Sequence, residues 1–342
     1  MRAMQTKLTA ILFLAAAACG GSKPAATTPA KPAEPDKAVL AANAAAAKAE
    51  LETKAKASPP GPTVVTTISE GIATPESMLY DVENDRYLIS NINGTPLAVD
   101  NNGYIATLAA DGTTVEKWIV GGANKVTLNA PKGMAIAGGV LYVTDITTVR
   151  KFDLKTGAAK GEIKIAGATF LNDLALGAND VLYVSDSGLK AGKADFEPTG
   201  TDAVYKIDTK AKTAKAVKVA KDKSLDKPNG LLVNAAGQVW VAPFGAKTIY
   251  MIDDAGKKGT AVELPGGGLD GIVDTGNHIL VSSWEKSTIY AAVSGGETLT
   301  FAPLIENVSA PADIGYDSKR NRLLLPRLMD NKVEIYQLPA VK

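Results

Sequence analysis

One short pattern occurs six times in this chain, and it decides what the chain can fold into. The copies are TPESMLYD at Thr74–Asp81, APKGMAI at Ala130–Ile136, FLNDLAL at Phe170–Leu176, KPNGLLV at Lys227–Val233, GLDGIVD at Gly268–Asp274 and APADIGYD at Ala310–Asp317. Each copy has a kinked start, then one key residue, then an apolar strand. A turn and a second apolar strand follow: Tyr87–Ser90, Val140–Thr144, Val181–Ser185, Val239–Ala242, His278–Ser282 and Arg322–Leu325. Most copies then show a third strand, at Thr148–Asp153, Ala203–Asp208, Thr248–Asp253, Thr288–Ala292 and Lys332–Gln337. Turn pairs such as Asn179-Asp180, Ala236-Gly237 and Gly276-Asn277 separate them. Strand-rich units that recur every roughly 40–57 residues are propeller blades. Residues 63–342 are therefore expected to be all-β, a six-bladed β-propeller. No stretch there keeps a helical apolar period over several turns, which argues against an α/β fold. A two-sheet sandwich has no need of one motif repeated six times. The uneven spacing falls in two long loops, Ser90–Asn102 and Leu189–Asp202, which are candidate mouth or rim elements.

The segments before the repeats read differently. Arg2 and Lys7 precede an apolar run, Leu8–Ala18, in the order of a secretory signal over residues 1–18. The run is too short to span a bilayer. The only cysteine of the chain, Cys19, comes directly after it. That arrangement resembles a bacterial lipobox and makes Cys19 the expected lipidation site, although Ala16 stands where that pattern usually has Leu. An ordinary secretory signal with a coincidental cysteine is the other reading. Residues 19–62 are rich in Ala, Pro, Lys and Thr, with too little apolar surface to offset their ordering entropy, and are expected to be a disordered tether. The expected product is an exported protein, anchored by lipid to the envelope. Gly20 in place of Asp after the cysteine points to the outer membrane, on its periplasmic or surface side. With 37 Lys plus Arg against 36 Asp plus Glu there is no basic excess to attract nucleic acid. Without further cysteines the fold cannot rest on disulfides or thiolate metal sites. Nothing in the sequence calls for an oligomer, so a monomer is expected.

Repeat symmetry also places a site. The innermost strands of a propeller surround its axis, so one position repeated in every blade points at one spot. That position holds Glu76, Lys132, Asn172, Asn229, Asp270 and Ala312. Four of these are oxygen donors of the kind hard cations take, and Glu76 with Asp270 would repel each other without one. Asn or Asp at a strand start also caps turns, which is the simpler account of any one of them taken singly.

The segments Pro75–Asp81, Leu171-Asn172-Asp173, Pro228-Asn229-Gly230-Leu231 and Leu269-Asp270-Gly271 together resemble the gluconolactonase / senescence-marker-protein / luciferin-regenerating-enzyme family. The resemblance spans about residues 63–342. It implies that Glu76, Asn172, Asn229 and Asp270 bind one divalent cation, often Ca2+ and sometimes Zn2+ or Mg2+. It also implies hydrolysis of lactones or related esters, with Asp270 as base as well as ligand. Asp173 is a second candidate, to orient a water. Lys132 is a candidate substrate-binding residue for a carboxylate or ring-opened product, or simply an ion-pair partner of Glu76 or Asp270. Ser77-Met78 departs from the Gly-Pro common in that family, which puts the neighbouring pocket shape in question. His278, the single histidine, lies in a predicted strand and reads as a packed or edge residue, which removes histidine-base chemistry. The Asn-rich loop Ser90–Asn102 is either a mouth that binds a sugar-like ligand or a plain surface excursion. Two other readings stay open: a non-catalytic propeller that binds a ligand or protein around a structural metal, and a lyase-like or strictosidine-synthase-like enzyme.

Overall fold

The computed structural model describes residues 61–340, apart from positions 194, 254, 296 and 297. The signal segment 1–18, Cys19 and nearly all of the tether 19–62 lie outside the described residues. A first strand, β1 (Thr63–Ile68), precedes six blades. Blade 1 is β2 (Pro75–Asp81), β3 (Arg86–Asn91), β4 (Tyr104–Ala109) and β5 (Val115–Val120). Blade 2 is β6 (Pro131–Ala137), β7 (Val140–Asp145), β8 (Thr148–Asp153) and β9 (Ala159–Lys164). Blade 3 begins β10 (Leu171–Leu176) and β11 (Val181–Asp186), inserts a hairpin β12 (Leu189–Ala191) and β13 (Phe196–Pro198), and ends with β14 (Ala203–Asp208) and β15 (Ala216–Lys221). Blade 4 is β16 (Pro228–Val233), β17 (Val239–Pro243), β18 (Thr248–Ile252) and β19 (Lys258–Glu263). Blade 5 is β20 (Leu269–Asp274), β21 (His278–Ser283), β22 (Thr288–Val293) and β23 (Ala302–Glu306). Blade 6 is β24 (Gly315–Asp317), β25 (Arg322–Arg327) and β26 (Lys332–Gln337), with β1 as its outer strand. The described residues contain no α-helix.

Closure of the ring follows from that last pairing. β1 runs antiparallel to β26, from Thr63 opposite Gln337 to Ile68 opposite Val333, so blade 6 takes strands from both ends of the folded region. A second clasp joins blades 6 and 1 at the face opposite the key residues. Arg320 donates to both oxygens of Asp85 at 2.7 Å and to Asp317 at 3.0 Å, and Lys319 reaches Asp85 at 2.7 Å. The core is divided among the blade interfaces. The described residues form six buried apolar clusters, one between each neighbouring pair of blades. Leu88, Ile105 and Ile119 of blade 1, for example, meet Met134, Leu141 and Phe152 of blade 2. Because each blade buries its two faces against two neighbours, no blade is complete without the ring.

The inner strands carry the feature that matters for the site. Their pairing with the second strand shifts register between Pro75 and Ser77, Pro131 and Met134, Leu171 and Leu174, Pro228 and Gly230, and Leu269 and Ile272. Each shift falls on the key residue. A bulge bends a strand and re-aims the side chain it carries. In blade 6 the corresponding segment lies ahead of the strand and is tied by a bridge between Pro311 and Arg327.

Candidate metal centre

Neighbouring inner strands touch at the bulges, and the residues that permit this are small. A Cβ on Gly230 would collide with the carbonyl of Asp270, and one on Gly133 would lie 2.8 Å from the carbonyl of Asn172. Hydroxyls on the second strands then tie each blade to the next. Ser185 Oγ accepts from Asp173 N at 2.8 Å and donates to the Asn229 carbonyl at 2.7 Å. Ser282 Oγ accepts from Gly271 N at 2.8 Å and donates to the Ala312 carbonyl at 2.9 Å. Thr144 Oγ1 donates to the Asn172 carbonyl. The backbones that carry three ring positions, 172, 229 and 312, are therefore held from the preceding blade.

The side chains of Glu76, Asn172, Asn229 and Asp270 are all buried, none more than 6% exposed. Each leaves one oxygen with no hydrogen-bond partner in the protein: Glu76 Oε2, Asn172 Oδ1, Asn229 Oδ1 and Asp270 Oδ1. Three other buried side-chain atoms among the described residues share that state, and none belongs to the ring. Leaving a buried polar group unpartnered costs about 1–3 kcal/mol. Two of the four are held by their other polar atom. Asn172 Nδ2 donates to Ser187 Oγ at 3.3 Å, and Trp284 Nε1 donates to Asp270 Oδ2 at 2.9 Å. What the four share is a buried acceptor without a donor.

Charge tells the same story. Burial raises the Glu76 carboxyl well above its usual range, Asp270 and Asp313 raise it further, and Lys132 opposes them. Burial and then Asp313 raise Asp270, with the hydrogen bond from Trp284 and the neighbouring Asn229 amide working against the shift. Asp313, one residue beyond the ring position of blade 6, is pushed up to about 7 by burial. A cation among these groups would relieve both the unpartnered oxygens and the repulsion. Two carboxylates and two amide oxygens fit a hard divalent ion such as Ca2+ or Mg2+ better than a thiophilic one. No cluster of three or more His, Cys, Asp or Glu side chains arranged for a metal occurs among the described residues. Half of the donor set at the ring is amide.

Several expected roles change on contact with the geometry. Lys132 is 1% exposed and makes no direct ion pair with Glu76 or Asp270. Its Nζ donates to the carbonyls of Pro96 and Ala130 at 3.0 Å each and lies 4.6 Å from the centre of the Phe170 ring. Desolvation lowers its pKa to about 8. Lys132 thus anchors the loop between β3 and β4 instead of standing open to a substrate carboxylate. Asp173 is no free carboxylate either. Its Oδ1 accepts from Leu174 N at 2.6 Å and its Oδ2 from Leu231 N at 2.7 Å in the next blade, so it staples blades 3 and 4. The asparagines of the Ser90–Asn102 loop mostly bind the protein itself. Asn91 Oδ1 accepts from Ala73 N, Asn93 Nδ2 donates to the Asn102 carbonyl, and Asn101 Oδ1 accepts from Leu128 N. His278 opens β21 at the end paired with Val293, away from Asp270 at the other end of the blade. Trp284, Ser187 and Asp313 were not singled out by the sequence. Aligning the ends of the second strands would have drawn attention to the first two, since each lies just past such an end.

The sequence matches no protein-family profile and no curated protein. Solved structures do share the fold. A gluconolactonase, XC5397 from Xanthomonas campestris, superposes with a TM-score of 0.60 at 18% identity, over 82% of this chain and 95% of that one. A luciferin-regenerating enzyme gives 0.59 at 13% identity, over 82% and 96%. A virginiamycin B lyase from Staphylococcus aureus, solved with quinupristin, gives 0.53 at 14% identity, over 80% and 98%. These similarities establish the propeller.

Proposed function

We propose that this propeller is a divalent-metal-dependent hydrolase of lactones or related esters, working at the cell envelope on a chain anchored through Cys19. The observation that carries the reading is the set of four buried oxygens, from four different blades, that find no partner in the protein. Glu76, Asn172, Asn229 and Asp270 would hold the cation. When bound, it supplies a positive charge that polarises an ester carbonyl and steadies the oxyanion developing on it. The chain's own groups do the rest. Trp284 fixes Asp270 through Oδ2 at 2.9 Å, so the carboxylate that would hold the cation through Oδ1 is also the base we assign to the proton of an attacking water. Water adds to the carbonyl carbon, the acyl C–O bond breaks, and the proton held at Asp270 passes to the leaving alkoxide. Lys132 holds the β3–β4 loop by the Pro96 carbonyl, which keeps that wall of the mouth in place. The gluconolactonase and luciferin-regenerating enzyme among the structural neighbours support the hydrolase class.

The test is turnover of a panel of aldonolactones, aryl esters and acyl-homoserine lactones with added Ca2+, Zn2+ or Mg2+. Asp270→Ala should abolish activity while circular dichroism shows the propeller intact. Full turnover in that variant would sink the catalytic reading. One observation favours the non-catalytic alternative: both oxygens of Asp173, the second expected catalytic carboxylate, already accept from backbone N–H groups. Tight cation binding without turnover of any substrate in the panel would decide for it.

A further inference from the structure

The rim of the ring is aromatic on the side of blades 3 to 5, and this bears on what enters. Trp284 follows β21 and is bonded through its indole N–H to Asp270, so the ring lies directly beside the candidate base. Phe244, just after β17 of the neighbouring blade, meets it edge to face, with centroids 5.6 Å apart and planes at 81°. Both are half-buried, so each keeps open surface. In blade 3, Phe170 and Phe196 form a second such pair, 5.7 Å apart at 82°, with Phe196 exposed at 41%. The chain has only six Phe and three Trp, and four of those nine lie at or next to the strand ends on the face that carries the key residues.

Most polar handles in the same place are already engaged, with Asn102 Oδ1 of the β3–β4 loop the exception. The Trp284 N–H is given to Asp270, so what that side chain offers a ligand is its face and edge. Lys132 Nζ is directed at two carbonyls and the Phe170 ring. The Asn-rich loop that a sugar would require binds largely to its own backbone and neighbours.

We infer that the substrate carries an aromatic or comparably flat apolar group beside its scissile carbonyl, seated against Trp284 and Phe244, and is not a polyhydroxylated aldonolactone. This rests on the hydrolase reading above and narrows it. An aromatic group stacked or set edge-on against such a pair gains binding beyond the area it covers, while a polyol there would lose water without replacing its hydrogen bonds.

The experiment compares kcat/KM for a benzo-fused δ-lactone and phenyl acetate with that for glucono-δ-lactone, in Ca2+, for the wild type and Phe244→Ala. Binding of the lactam analogue of the benzo-fused lactone is followed in parallel by calorimetry and by tryptophan fluorescence. The inference predicts preference for the aromatic substrates, and a fall in that preference of about tenfold in Phe244→Ala, with the lactam bound about tenfold more weakly. Preference for glucono-δ-lactone, or a preference that Phe244→Ala does not move, would overturn the inference and leave the hydrolase standing. Lactam binding that quenches fluorescence with no turnover of any substrate would remove the hydrolase and leave the aromatic seat. Neither binding nor turnover would remove both.

Discussion

Replacing Asp270 by Asn should make the protein more stable in chelator and less responsive to calcium. Asn is nearly the same shape. Its Oδ1 can keep the bond from Trp284 Nε1, and its NH2 then faces the ring, where Glu76 Oε2 and Asn229 Oδ1 lack donors. The variant also removes one of the carboxylates whose repulsion raises Glu76. Satisfying a buried acceptor recovers about 1–3 kcal/mol. For a folded region of this size 1 kcal/mol corresponds to about 2–3 °C in melting temperature, so Asp270→Asn should melt roughly 2–9 °C above wild type in EDTA. Calcium at a hundredfold excess over Kd stabilises the wild type by about 2.7 kcal/mol, or roughly 5–8 °C, and the variant should gain little. Calcium should therefore close the gap between the two proteins, or reverse it, in a scanning fluorimetry or urea titration. If Asp270→Asn melts lower than wild type in EDTA and rises by the same amount in calcium, the unpartnered oxygens do not form a cation site and the reasoning fails.

Other changes separate structural from chemical roles. Asp173→Ala should destabilise by about 1–3 kcal/mol by stripping acceptors from Leu174 N and Leu231 N, read as a shift in urea midpoint; an unchanged midpoint would refute the staple. Gly230→Ala should prevent close approach of blades 4 and 5 and abolish calcium binding, because its Cβ meets the Asp270 carbonyl; normal calorimetric titration would contradict this. Arg320 and Lys319 hold the Asp85 carboxyl well below the usual carboxylate range. That depressed value means the clasp contributes fully above the unfolded pKa near 4 and is lost as pH falls towards the folded value. Arg320→Ala should therefore flatten the fall of melting temperature with acidification below about pH 4, and an unaltered slope would discount the clasp.

Sequence repetition exposed the inner strands because they are buried on both faces and must carry near-continuous apolar runs after each key residue. The outer strands were hidden for the converse reason. β9 reads AKGEIK and has one buried residue, and β19 reads KGTAVE, so neither carries a strong period. β1 was missed as a blade strand because its partner, β26, lies at the far end of the chain, and pairing of that range leaves no local mark. The ring positions were legible through symmetry alone: Glu76, Asn172, Asn229 and Asp270 each occupy the bulge of their blade. What symmetry could not supply is the fate of each atom. Lys132 and Asp173 look like site chemistry in sequence, yet hydrogen bonds to carbonyls and from backbone N–H groups give them structural work.

Terbium luminescence, excited through tryptophan, addresses the axial cation most directly. Trp284 donates to a carboxylate of the ring, so an ion held there lies within energy-transfer range of its indole. A single saturable signal is expected, displaced by calcium and lost in both Glu76→Gln and Asp270→Asn. No saturable signal, or one that persists undiminished in both variants, would contradict a cation at the propeller axis.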